Sequence, residues 1–210
     1  MTYLISFFIS YLFGSIPTAY FVVKRASNMD IRSVGSGNVG ARNAFEVTEK
    51  KWVGIVVVLI DVLKGVAAVV AVQSISGNDP TAVSIAMSGV VVGHCYPVWL
   101  KFKGGRGLAT AAGVFLTLSW IWVPLWLILY FGIEKFLKNV HVSSVASLLA
   151  TPLVLFLIPD SIAQTFIPSY FSPAHFFAAG CVVVGVSISR HIEPLQKLAS
   201  KNSSNEKNIS

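Results

Sequence analysis

Charge is scarce in this chain. Only 12 % of its 210 residues are Asp, Glu, Lys or Arg, about half the share in an average soluble domain. With 54 % apolar residues and a mean hydropathy of +0.71, a water-soluble globule of this size has too little interior to hide its apolar surface. Disorder is excluded for the opposite reason, since there is too much to bury. Cysteine is nearly absent. Cys95 and Cys181 both lie in apolar stretches without metal-ligand spacing and read as small packing residues. No histidine has an acidic residue at a triad-like or metal-like spacing, so neither a Ser-His-Asp system nor a bound metal is indicated, and no cofactor motif is present. The Walker spacing is missing. No internal repeat appears, so nothing points to the inverted-repeat plan common among transporters.

What the chain has instead is long uncharged runs. A helix needs about 20 mostly apolar residues to cross a hydrocarbon core of roughly 30 Å. Residues 2–23, 52–76, 80–100, 107–133, 139–159 and 174–189 are such runs, the second interrupted by Asp61 and Lys64. The first has no basic residues before it and no small-residue cleavage site after it, and reads as a retained span rather than a signal peptide. The count is six, or seven if residues 107–133 fold back near Ser119. Short cytoplasmic loops carry Lys and Arg, and that rule separates the two. Outside Lys64, the basic residues cluster in 24–51, 101–106, 135–138 and from 190 onward. Only seven spans put all four clusters on one side. The expectation is an all-α polytopic membrane protein with seven transmembrane helices, N-terminus out and C-terminus in. Trp120, Trp122 and Trp126 suit an interfacial anchor near the outer turn. Residues 1–189 then form a single membrane-embedded domain, and 190–210 a polar, frayed cytoplasmic tail. The net charge of +7 follows from topology and calls for no nucleic acid, while an anionic substrate or membrane lipid headgroup fits it.

Three polar stretches do not belong in a bilayer, where such residues are costly and tend to be functional. The first is Ser36-Gly-Asn-Val-Gly-Ala-Arg-Asn43. Its glycines permit close backbone approach, and rows of N–H groups in such backbone bind anions. Ser36, Asn38 and Asn43 add side-chain hydrogen bonds and Arg42 a planar cationic fork. The alternative is an ordinary turn before a helix. The second is Asp61-Val-Leu-Lys64-Gly65. Its two charges share a helix face, either as a self-neutralised pair or as a lysine held toward an anion by Asp61. The third is Gly93-His-Cys-Tyr-Pro97 followed by Lys101-Phe-Lys-Gly-Gly-Arg-Gly107. Cations and glycines lead there directly into a helix, which describes a phosphate site or a positively charged inside loop. His94 and His191 are the titratable candidates on the same side. His141 and His175 receive no role.

Taken together, SGNVGARN, DVLKG and GHCYPVWLKFKGGRGLAT resemble the acyl-phosphate:glycerol-3-phosphate acyltransferases of bacterial inner membranes, the PlsY family. Its members show SGNxGxTN, DxxKG and GHxFPxxxxFKGGKGxAT in this order, and the resemblance covers most of the chain. It implies transfer of a fatty acyl group from acyl phosphate to the 1-hydroxyl of glycerol 3-phosphate, giving lysophosphatidate and phosphate. This is the first step of phospholipid synthesis, at a cytoplasm-facing site in the inner membrane. It implies no cofactor and no metal, and a partner enzyme that supplies acyl phosphate. Carried onto this chain, it makes Ser36, Lys64, Arg106 and His191 catalytic and Asp61 orienting. It assigns substrate phosphates to Gly37, Asn38, Gly40, Arg42, Asn43, His94, Lys103, Gly104, Gly105 and Gly107.

The chain departs from the family pattern in places. Arg42 stands where the family has Thr, Glu46 where an Arg usually follows, and Arg106 where the second Lys of KGGKG stands. After His191, Pro194 replaces the usual Asn, and the basic cluster that follows is thinned to Lys197. The Arg42 and Glu46 exchange keeps one cation in that helix, one turn earlier, and Arg42 is expected to take over phosphate binding. Two other readings use the same cationic cradles: a carrier or flippase for a phosphorylated metabolite or lipid, and a paralogue acting on another polyol phosphate.

Overall fold

The structure, a computed structural model, describes residues 1–207, with side chains through residue 200. All regular secondary structure among these residues is helical: α1 (Thr2–Ser15), α2 (Thr18–Ser27), α3 (Ala41–Thr48), α4 (Lys51–Ser76), α5 (Pro80–Cys95), α6 (Leu108–Leu118), α7 (Trp122–Leu137), α8 (Val140–Phe156), α9 (Asp160–Ala163), α10 (Pro173–Ser189) and α11 (Ile192–Lys207), with two short 3-10 turns.

Three segments are long and apolar enough to cross a membrane, namely Thr2–Ser27, Lys51–Ser76 and Pro80–Leu100. Counting two bent pairs, α8 with the α9 region and α10 with α11, raises the number to five. The long run 107–133 does break where sequence placed a turn, α6 ending at Leu118 and α7 starting at Trp122. The tail differs from expectation. Ile192–Lys207 is helical rather than frayed, and residues 208–210 lie outside the described part.

Two helices, α1 and α8, turn polar and small residues inward and apolar ones outward. α1 buries Ser6, Ser10, Gly14 and Ser15 and exposes Leu4, Phe8 and Leu12. α8 likewise buries Ser143, Ser144, Ser147 and Thr151 while Leu149, Leu153 and Phe156 face outward. Small residues on the inner faces let backbones approach closely, as membrane helices do when lipid offers no hydrophobic drive between them. The α1–α5 contact shows this. A Cβ on Gly14 would collide with the Val90 carbonyl, and one on Gly93 with the Tyr11 carbonyl. Most of these hydroxyls bond to their own helix, Ser10 donating to Ser6 O at 2.7 Å and Thr151 to Ser147 O at 2.8 Å, while Ser143 Oγ is buried without a partner.

Helix ends follow from sequence. Asp79 accepts from the Ala82 N–H at 2.8 Å ahead of Pro80, and Asn139 accepts from the N–H groups of His141 and Val142, both as N-caps. Pro17 breaks the first span into α1 and α2 because it cannot donate into a helix. The main core joins α5, α6 and α10, with Phe115 stacked on Trp122 at 4.1 Å and Phe176 edge-on to both. Trp122 is therefore a core residue and not the expected interfacial anchor, whereas Trp120 is exposed. Cys95 is buried in this core and both cysteines are free.

Candidate active site

The loop from α2 to α3 is folded around one side chain. Asn43, on the first turn of α3, is buried. Its Oδ1 accepts the Ser36 N–H at 2.9 Å, and its Nδ2 donates to the carbonyls of Ile31, Val34 and Asn38 at 3.3, 3.2 and 3.0 Å. Gly35 and Gly37 sit at φ +59° and +69°, the left-handed region that glycine enters without penalty. A Cβ at Gly35 would also strike the Asn43 amide. Asn43 is thus spent on shaping the loop rather than offered to a ligand.

That loop forms one wall of a polar cleft of about 370 Å³. Ser36, Asn38, Arg42, Asn43 and Glu46 line it on this side, Arg106 from the glycine-rich loop before α6, and Lys138, Asn139, Val140 and His141 from the α7–α8 turn. Arg42 Nε meets Glu46 Oε1 at 2.7 Å, an exposed pair that leaves its terminal nitrogens for another partner. The Asn38 N–H reaches Ser36 Oγ at 3.5 Å. Three cations face one carboxylate here. Burial, and then the like charges of Arg42 and Arg190, pull the Arg106 guanidinium below its ordinary range. Such a cluster is stabilised by whatever anion enters it.

His191 stands behind this cleft rather than in it. It is almost fully buried, and its Nδ1 lies 3.0 Å from the Ser187 carbonyl. A carbonyl only accepts, so Nδ1 carries the proton. Burial pushes the imidazole down to about 4, so it is neutral at physiological pH. Its ring is 6.0 Å from that of His141.

The glycine loop corrects the sequence reading of a backbone phosphate cradle. The Gly104 and Gly105 N–H groups donate to the carbonyls of Cys95 and His94, each at 3.1 Å. Their own carbonyls accept from Arg190, Nη2 to Gly104 at 3.1 Å and Nε to Gly105 at 3.2 Å. The glycines are there for close approach, since a Cβ on Gly105 would fall on the His94 ring and one on Gly104 on the His94 carbonyl. Gly107, at φ +80°, turns the chain into α6. Lys103 is exposed and does not line the cleft, whereas Arg106 does.

Asp61, Lys64 and His94 form a separate buried cluster. Lys64 Nζ pairs with Asp61 at 2.7 Å and donates to the Ile16 carbonyl at 2.6 Å, an oxygen beside the Pro17 break. His94 Nδ1 lies 3.1 Å from Thr110 Oγ1 and 3.8 Å from Asp61. This ammonium is spent on holding α1, α2 and α4 together, so Lys64 does not reach the cleft. Of the residues expected in the site, Ser36, Asn38, Arg42, Asn43 and Arg106 come together. Gly37 and Gly40 shape the wall, and Lys64, His94, Lys103 and His191 lie elsewhere. Sequence reasoning missed Lys138, Asn139, His141 and Arg190. An asparagine directly before an apolar helical run is an N-cap signal that would have drawn attention to the first three.

Residues 4–201 match the family described as glycerol-3-phosphate acyltransferase. The glycerol-3-phosphate acyltransferase of Prochlorococcus marinus (strain NATL1A) is 41 % identical over 157 residues, 75 % of this chain and 78 % of that one. That of Nitrobacter winogradskyi is 42 % identical over 159 residues, covering 72 % and 76 %. The crystal structure of PlsY (YgiH), an integral membrane glycerol 3-phosphate acyltransferase, superimposes in its glycerol 3-phosphate form with a TM-score of 0.78. It is 29 % identical, with 96 % of this chain and 94 % of that one covered. Its lysophosphatidic acid form gives 0.75 at 28 % identity, covering 96 % and 93 %. An all-helical bundle with apolar residues on its outer surface, a three-cation cleft and a match along nearly the whole sequence agree, and the chain belongs to the glycerol-3-phosphate acyltransferase family.

Proposed function

We propose that this protein transfers a fatty acyl group from acyl phosphate to the 1-hydroxyl of glycerol 3-phosphate, releasing lysophosphatidate and phosphate. The observation that carries the reading is the cleft where Arg42, Arg106 and Lys138 converge in a chain of this family. Both substrates bring a phosphate dianion, and three cations supply the matching charge. An open apolar groove lined by Ala41, Phe45, Gly54, Ile55, Val58 and Leu59 runs from the same Arg42 and suits the donor's hydrocarbon chain. Acyl phosphate is already activated, so no covalent enzyme intermediate is required. Holding the two substrates together and neutralising the departing phosphate supply the rate. The hydroxyl oxygen bonds to the acyl carbon, the bond from that carbon to the phosphate oxygen breaks, and the hydroxyl proton leaves on the phosphate.

Within this reading Arg42, Arg106 and Lys138 bind phosphate, and the Ser36 hydroxyl and Asn38 amide orient substrate. Asn43, Asp61, Lys64, His94 and His191 are positioning residues. Residues 1–189 form the membrane domain, crossing seven times in the inner membrane with the N-terminus outside and the cleft facing the cytoplasm. In support, the basic loops at 42, 106, 138 and 190 gather at one end of the bundle, as the positive-inside rule requires. A partner enzyme supplies acyl phosphate. Purified protein given palmitoyl phosphate and glycerol 3-phosphate is expected to release phosphate only when both are present. Binding of both without release would overturn the reading in favour of a carrier.

A further inference from the structure

His141 is the cleft residue that neither the family motifs nor the phosphate chemistry accounts for. It is the second residue of α8, its backbone N–H held by the Asn139 cap at 3.0 Å. His141 lines the cleft beside Arg42, Arg106 and Lys138. Its Nδ1 is sealed from solvent with no hydrogen-bond partner, while the residue as a whole is partly exposed. The open edge that reaches the cleft is therefore the one carrying Nε2. A buried N–H without an acceptor is rarer in proteins than a buried acceptor left under-used. The proton of the neutral ring accordingly belongs on Nε2, where it points into the cleft as a donor. His191, which does not line the cleft, packs with its ring 6.0 Å from that of His141. Cations suit the phosphates, and a neutral donor among them suits a different oxygen. A neutral imidazole at a helix N-terminus that polarises a carbonyl is a known catalytic device.

We infer that His141 is a catalytic residue whose Nε2–H is the donor that holds the acyl carbonyl oxygen as it becomes an oxyanion. The inference rests on the acyl-transfer reading above. As the acceptor hydroxyl oxygen bonds to the acyl carbon, the carbonyl electron pair moves onto the oxygen facing His141. When that pair returns, the bond from carbon to phosphate breaks, and phosphate leaves with the bonding electrons and takes up the hydroxyl proton.

The test uses the purified full-length protein, palmitoyl phosphate and glycerol 3-phosphate, with phosphate release as the rate and thermal unfolding as a folding check. Loss of one oxyanion donor costs about 100- to 1,000-fold in kcat. His141→Ala is expected to show that loss, with both KM values changed less than about threefold. His141→Gln places an amide N–H where Nε2 stood and cannot act as a base, and it is expected to recover most of the rate. His141→Asn places its amide at the Nδ1 position and is expected to stay as slow as His141→Ala. If His141→Ala or His141→Asn fails to fold, the contrast of His141→Gln with the other still decides; if His141→Gln fails to fold, a wild-type rate in His141→Ala or His141→Asn overturns the inference, and a kcat loss at unchanged KM in both supports it. Three results would overturn the inference: a wild-type rate in His141→Ala, a raised acceptor KM at unchanged kcat, or His141→Gln as inactive as His141→Ala. An inactive wild-type protein would instead bring down the acyl-transfer reading, and this inference with it.

Discussion

A cation moved by one turn is the chain's most visible departure from its family. The Arg42–Glu46 contact at 2.7 Å is exposed on both sides, and such a pair at this helical spacing contributes only a few tenths of a kcal/mol. A charge-assisted contact to a substrate phosphate contributes about 1.5–3 kcal/mol. Arg42→Ala should therefore raise the acceptor KM about ten- to a hundredfold, while Glu46→Ala leaves it near wild type or lowers it. Small, equal effects on steady-state kinetics would reduce the pair to a surface contact. Single residues were legible from sequence where charge and chemistry alone decide, as for Arg42 and Arg106. They were not legible where packing decides. Asn43 and Lys64 have the chemistry of ligands, but their bonds are consumed by loop and kink carbonyls that only the folded chain brings near. Trp122 has the composition of an interfacial anchor and lies stacked in the core.

At the level of elements, the sequence announced the helices and the break at Ser119, because apolar runs and charge placement reflect the membrane directly. It misrepresented the glycine loop. KGGRG reads as an anion nest, yet the N–H groups of its two central glycines, Gly104 and Gly105, pair with the end of α5. Gly104 and Gly105 permit close contact with His94, which lies ten and eleven residues earlier and is invisible to local pattern. Gly105→Ala should therefore act first on stability, costing roughly 1–3 kcal/mol as an overpacked site does. Gly132 in α7 has open space where its Cβ would go, and Gly132→Ala should be neutral or stabilising by up to about 1 kcal/mol. Thermal unfolding of the two variants in the same detergent checks both. A Gly105→Ala midpoint equal to wild type would refute the packing role given to this glycine.

For the whole molecule, the proposed orientation, N-terminus outside and C-terminus inside, is open to direct test. A reporter fused at the C-terminus should read as cytoplasmic, and one inserted within residues 160–173 as external. Either signal reversed would sink the seven-span arrangement. The seven-span expectation rests on loop composition alone, whereas the α7–α8 wall of the cleft was not legible in the sequence, because it forms only when distant helices meet. The Arg190 clamp adds a temporal constraint. Its guanidinium, lying 5.3 Å from the centre of the Tyr96 ring, fastens a loop that leaves the ribosome more than eighty residues earlier. Chains are built from the N-terminus and their domains fold in that order. The 101–107 loop therefore emerges unlatched and is locked only once α10 has threaded into place, so a nascent chain stalled before that helix would hold a half-built, inactive cleft.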